Sequence, residues 1–299
     1  MTNAPVCIGP DPQPRKPRNA LPAGSTDCHC HVFADPKKYS LTEKRSYTPP
    51  LLLLSDYLHM CEAVGIERTV QVNASVYGFD NSLSLDVIAT LGQHRARGVA
   101  GVRPDVSAEE LARLHAGGMR GARLSTRVKG YGGTELLDIL APKVAPLGWH
   151  LQVHVGANAE LAELETKLMR LPSALVFDHL GCVRGGKDSV DGPGFQAMLR
   201  LLKRRDDCWV KISSWYHRSD SGPPDYADMK PFAHALVDAR PDRVVFGTNW
   251  PHPNHFPPEV NPNDGDLIDL FCSWFPDAAV RERVLVHNPA QLYGFPSSK

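Results

Sequence analysis

Residues 97–125, RGVAGVRPDVSAEELARLHAGGMRGARLS, hold a complete structural unit. A short run rich in β-branched and small apolar residues (97–103) leads into a segment of helical period headed by Ser107 and closed by Gly117 and Gly118. A second short run follows at 120–125. Serine ahead of a helix satisfies a free backbone N–H, and glycine lets the chain leave the helix. Two strands joined through a helix run parallel, so the stretch reads as one strand–helix–strand unit of a parallel sheet.

Working outward in both directions, the same alternation recurs. Eight strand candidates stand at 26–33, 68–74, 97–103, 120–125, 150–156, 174–181, 208–213 and 243–250. Helical patterns separate them at 54–65, 81–94, 107–118, 158–171, 194–205 and 229–240. Eight strands with crossover helices can close on themselves, whereas an open doubly wound sheet shows fewer strands and a glycine-rich nucleotide turn. Neither GxGxxG nor GxxxxGK[ST] occurs. The expectation is therefore an α/β protein, a single (β/α)8 TIM barrel over residues 25–299. Residues 1–24 carry six prolines and read as an extended N-terminal arm, laid on the domain or mobile.

Composition narrows the partners. The 33 basic and 33 acidic residues cancel, which leaves no electrostatic footprint for nucleic acid or an anionic membrane. No stretch reaches the roughly 18 apolar residues of a membrane span, and the seven cysteines form no CxxC pair and read as reduced thiols. A cytoplasmic protein acting on a small molecule is expected, with assembly into a homo-oligomer left open.

The first strand reads TDCHCHVF, 26–33. Strict alternation along a strand puts Asp27, His29 and His31 on one face and Cys28 and Cys30 on the other. Two imidazoles facing the barrel axis need a metal, an anion or a substrate to satisfy them. His154 lies in the fifth strand, His179 at the end of the sixth, and Asn249 at the end of the eighth. Barrel chemistry is assembled from the carboxyl ends of several strands. Trp250 and His252 in NWPHP read as scaffold around the last turn.

The ordered set of HxH on strand one, histidines on strands five and six, GTNWPHP after strand eight and the closing HNPAQLYGF resembles the amidohydrolase superfamily. Within it, the chain is similar to the lactone hydrolases that act on pyrone dicarboxylates and sulfomuconolactones. That resemblance implies water attack on a lactone carbonyl in the breakdown of aromatic-derived acids, with His29, His31, His179 and residue 249 as the catalytic set. It also implies one divalent metal, Zn²⁺ being the ion suited to His29, His31, His154 and residue 249, although the pyrone branch works without metal. Tyr47, Ser75, Arg123, Arg127, Arg184, Ser214, Tyr216 and Arg218 are the expected contacts of an anionic lactone, with Arg123 foremost among the cations.

One position departs from the family. Asn249 stands where those enzymes carry an acid, and an amide cannot take a proton from water. The chain is thus read as an inactivated variant or as an enzyme that dispenses with that base. Two other readings stand beside the lactonase: a metal-dependent decarboxylase of the same superfamily, and a catalytically dead barrel that binds a ligand.

Overall fold

A computed structural model describes residues 4–296. Eight parallel strands lie in chain order in one sheet: β1 (Thr26–Cys30), β2 (Arg68–Val72), β3 (Ala96–Ala100), β4 (Met119–Ser125), β5 (His150–His154), β6 (Ala174–Phe177), β7 (Cys208–Ile212) and β8 (Val244–Phe246). The barrel closes past the last strand, where His29 O accepts from Asn249 N at 2.7 Å and His31 N donates to Trp250 O at 2.8 Å. Every strand but β4 ends short of its expected limit. His31, His179 and Asn249 therefore sit one, two and three residues beyond β1, β6 and β8, on backbone free to turn into the mouth.

Crossover helices α1 (Leu54–Val64), α2 (Ser82–Leu91), α3 (Ala108–Ala116), α4 (Leu137–Val144), α5 (Glu160–Arg170), α6 (Pro193–Arg204), α7 (Lys230–Ala239) and α8 (Asp264–Trp274) form the outer layer. The Ser107 hydroxyl accepts from Glu110 N to cap α3, as the 97–125 unit requires, and Asn263 caps α8 through Gly265 N. α4 and α8 escaped the helical patterns, α4 because it is short and holds Pro142. None of the described helices is long and apolar enough to cross a membrane. The seven cysteines are buried and unpaired.

The alternation expected for β1 does not hold. Asp27 pairs with Thr69 and Cys30 with Gln71, so Cys28 and His29 together stand opposite the single residue Val70. Such a bulge puts two successive side chains on the same face. Cys28 joins the apolar cluster of Val70, Val99, Val176 and Trp209 inside the barrel, and His29 faces inward above it. Asp27 turns outward, where Tyr57 of α1 donates to it at 3.0 Å and the Thr248 hydroxyl at 2.6 Å.

The arm is laid on the domain in its described part. Ile8 N donates to His255 O, Gly9 O accepts from Asn261 Nδ2, and Arg18 pairs with Asp269. These bonds pin it along the segment that follows β8.

Candidate active site

Inward positions of four neighbouring strands form a polar layer beneath the mouth. Arg123 (β4), Gln152 (β5), Asp178 (just after β6) and Lys211 (β7) are all buried, and they meet on one carboxylate. Arg123 Nη2 lies 2.9 Å from Asp178 Oδ2, Gln152 Nε2 donates to the same oxygen at 3.1 Å, and Lys211 Nζ stands 3.8 Å from Oδ1. Lys211 also donates to Gln152 Oε1 at 2.6 Å and Cys28 O at 2.9 Å. Burial alone would raise Asp178; Arg123, His29 and Lys211 override it and hold the acid well below the usual range. Burial lowers Lys211 to about 8.

Four imidazoles sit on this layer, and their hydrogen bonds assign their free nitrogens. His31 Nδ1 is 2.7 Å from Val72 O, so it carries the proton and leaves Nε2 as a bare acceptor. His29 Nδ1 stands between Asp178 Oδ1 at 3.2 Å and Lys211 Nζ at 3.4 Å, and His29 Nε2 is buried without a partner. His154 is the reverse case. Arg123 Nη2, a donor only, approaches its Nδ1 at 3.3 Å with Ser125 Oγ at 3.1 Å, so the proton sits on Nε2. His179 Nδ1 is bonded to Ser213 Oγ at 2.8 Å. Ring centroids lie 4.7 Å apart for His29 and His179 and 5.2 Å for His154 and His179. Desolvation lowers all four; His31 falls to about 3, so these rings are neutral near pH 7.

His29, Asp178 and His179 offer ligand atoms within 4.8 Å of one another, a spacing that could hold a metal ion. The unpartnered Nε2 of His29 fits that use, because a buried neutral imidazole nitrogen with no hydrogen-bond partner is free to ligate. Of the four residues expected around a metal, this cluster contains His29 alone. His31 and Asn249 line the cavity, and His154 is placed to donate from Nε2 rather than to ligate.

The cavity itself is lined by His31, His154, His179 and Asn249 at its base, and by Tyr47, Ser75, Arg123, Arg127, Ser214 and Arg218 on its walls. Two expected contacts lie elsewhere. Arg184 is bound to Asp220 at 2.6 Å on the surface, and Tyr216 is buried behind Asn249. Arg123 reaches the cavity with its charge already met by Asp178. Arg127 and Arg218 differ from it. Among the described residues neither has a carboxylate partner, and Arg218 Nη2 is buried without any hydrogen bond.

Sequence reading missed Lys211, Gln152 and the anchoring role of Asp178. No local pattern marks them, although a lysine two residues after Trp209 in an otherwise apolar strand was a visible anomaly.

The amidohydrolase family model matches residues 26–295. The chain is 35% identical to a 4-sulfomuconolactone hydrolase of Hydrogenophaga intermedia, over 97% of this chain and 95% of the relative. It is also 35% identical to a 2-pyrone-4,6-dicarboxylate hydrolase of Comamonas testosteroni, over 94% and 93%. A D-galactarolactone isomerase of Agrobacterium fabrum is 30% identical over 93% of each chain.

Proposed function

The chain belongs to the amidohydrolase family, and from that premise we propose that it opens the ring of a small anionic lactone of the kind formed in aromatic catabolism. One observation carries the substrate's charge: Arg127 and Arg218 face the cavity with no carboxylate among the described residues to neutralise them. Two unpaired guanidiniums at one wall repel each other until an anion lies between them, and their planar forks match a carboxylate or a sulfonate.

The carbonyl end of the lactone lies over the imidazoles. His154 Nε2–H donates to the carbonyl oxygen and stabilises the charge that develops there. The bare Nε2 of His31 accepts a hydrogen bond from the attacking water. Water oxygen bonds to the carbonyl carbon, the ring C–O bond breaks, and the ring oxygen takes up the proton. Tyr47 and Ser75 line the same cavity and hold the substrate. One divalent ion, Zn²⁺ by ligand type, would be held by His29, Asp178 and His179 and would polarise the carbonyl or the water.

A second reading has its own support. Asn249 removes the carboxylate that activates water, and a lactone isomerase is among the relatives. Isomerisation needs no external nucleophile. A hydroxyl of the substrate attacks its own carbonyl, the former ring oxygen leaves as a hydroxyl, and effective concentration replaces base strength.

Incubating the protein with sulfomuconolactone, pyrone dicarboxylate and sugar-acid lactones in H₂¹⁸O separates the readings. Hydrolysis gives an acid carrying one ¹⁸O, and isomerisation gives a product of unchanged mass. If neither this chain nor its Asn249→Asp variant consumes any of them, lactone chemistry is ruled out. Elemental analysis of protein purified without chelator tests for the metal.

A further inference from the structure

Behind Asn249 runs a chain of buried polar groups that the reaction as described does not use. Asn249 Nδ2 donates to Tyr216 Oη at 3.0 Å, Tyr216 Oη lies 2.6 Å from His252 Nδ1, and His252 Nε2 lies 3.3 Å from Asp264 Oδ2. The three residues behind the amide come from the turn after β7, the segment after β8 and the first turn of α8. They are 8%, 0% and 1% exposed. His252, expected to be scaffold, is the middle link.

The order of donors along this chain is forced from one end. An ionised carboxylate only accepts, so His252 must place its proton on Nε2. Its Nδ1 is then bare and takes the Tyr216 hydroxyl hydrogen. The Tyr216 oxygen is left to accept from the Asn249 amide. The second amide hydrogen goes to Ser214 Oγ at 3.2 Å. Both hydrogens of the Asn249 amide thus point into the protein. Its Oδ1 accepts no hydrogen bond among the described residues and belongs to a residue that lines the cavity.

The backbone around this chain is held under strain. Asn249, Ser214 and His252 all have φ in the left-handed region, at 61°, 56° and 60°. Such conformations are costly for residues other than glycine and persist where surrounding structure dictates them. The buried Asp264 is favoured by its place at the N-terminus of α8, although its Oδ1 has no partner.

We infer that Asp264, His252 and Tyr216 are positioning residues that fix the Asn249 amide with its oxygen toward the cavity, where it accepts the hydrogen of the attacking hydroxyl, water or substrate. The inference rests on the lactone reading for its chemistry. The relay itself does not need a substrate to be seen. An amide oxygen cannot remove a proton, but it can align the nucleophile for an imidazole that does. A freely rotating amide would also present N–H to the nucleophile and tie up the lone pair with which it attacks.

The test has two arms on the full chain. ¹⁵N NMR of histidine-labelled protein, with His252 assigned by comparison with His252→Gln, is expected to show Nε2 protonated and Nδ1 bare. In Asp264→Asn the fixed tautomer should be lost. A His252 protonated on Nδ1 overturns the relay whether or not any lactone is turned over. The second arm is steady-state kinetics of Tyr216→Phe, which removes one oxygen. A fall in kcat of roughly tenfold to a hundredfold with KM within twofold and an unchanged unfolding midpoint is expected. Unchanged kcat, or a loss shared with stability, makes the relay structural only. If the NMR result holds and no lactone reacts, the lactone reading fails and the relay stands.

Discussion

His150, Val176 and Trp209 pack at one end of the barrel interior beside Tyr293 and Phe295 of the C-terminal segment. Two residues further along the same three strands come Gln152, Asp178 and Lys211, the layer under the cavity. The backbone is continuous, yet one level is apolar filling around the single buried imidazole of His150 and the next a network of charge. Their difference shows how a barrel divides its labour. Apolar burial at the base supplies stability that does not depend on the mouth, so the mouth can hold unpaired arginines, strained turns and an imidazole nitrogen with no partner.

That division can be broken by substitution. The largest effect is expected from Asn249→Asp, which restores a carboxylate where water must be activated. Hydrolytic kcat should rise by roughly 10²–10⁴-fold with little change in the unfolding midpoint. A change in stability but not in rate would show that the mouth is structural after all. Next is Trp209→Ala at the base, which should cost about 3–5 kcal/mol in urea unfolding. Full stability of that variant would mean the base is not what holds the barrel.

Arg218→Met addresses the wall of the cavity. Loss of a charge-assisted contact of about 1.5–3 kcal/mol should raise KM for an anionic lactone roughly tenfold to a hundredfold, and leave a neutral lactone nearly unaffected. Equal losses for both would remove the guanidinium from anion recognition.

Acid should act on both ends, with the smallest separable effect. Burial lowers His31 at the mouth and His150 at the base from 6.5 to about 3. Their neutral forms are favoured by folding, so they add stability above pH 6.5 that is lost as the pH falls toward 3. Asp27, raised by burial from 3.8 to about 6, works the other way, since its protonated form is favoured in the folded chain. With two histidines against one Asp27, denaturant midpoints should fall between pH 6.5 and 4, and the strongly acidic Asp178 adds a further loss below about pH 3.8. His150→Met should flatten that decline without altering the pH profile of kcat. A decline unchanged by His150→Met would place the acid sensitivity at the mouth alone.

Much of this was legible in the chain. The eight runs fell on the eight strands, because hydrophobic period and helix stops are local properties. HxH, His154, His179 and Asn249 were visible because they close those runs. The bulge at Cys28 and His29 was not, since it depends on how β1 meets β2, and strict alternation sent Asp27 to the wrong face. The sequence reading put Arg123 ahead of Arg218 as the anion's partner. Only a carboxylate 55 residues away spends the first on Asp178 and leaves the second free.

The sequence by itself determined the repeating unit, the strand ends that carry imidazoles and the absence of an acid at 249, each set by residue type and spacing within a few turns of chain. Tertiary structure alone decided which nitrogen of each imidazole is free, which arginine still wants an anion, and which way the Asn249 amide faces. Those properties belong to hydrogen-bonded pairs, and the partners come together only when distant strand ends close into one ring.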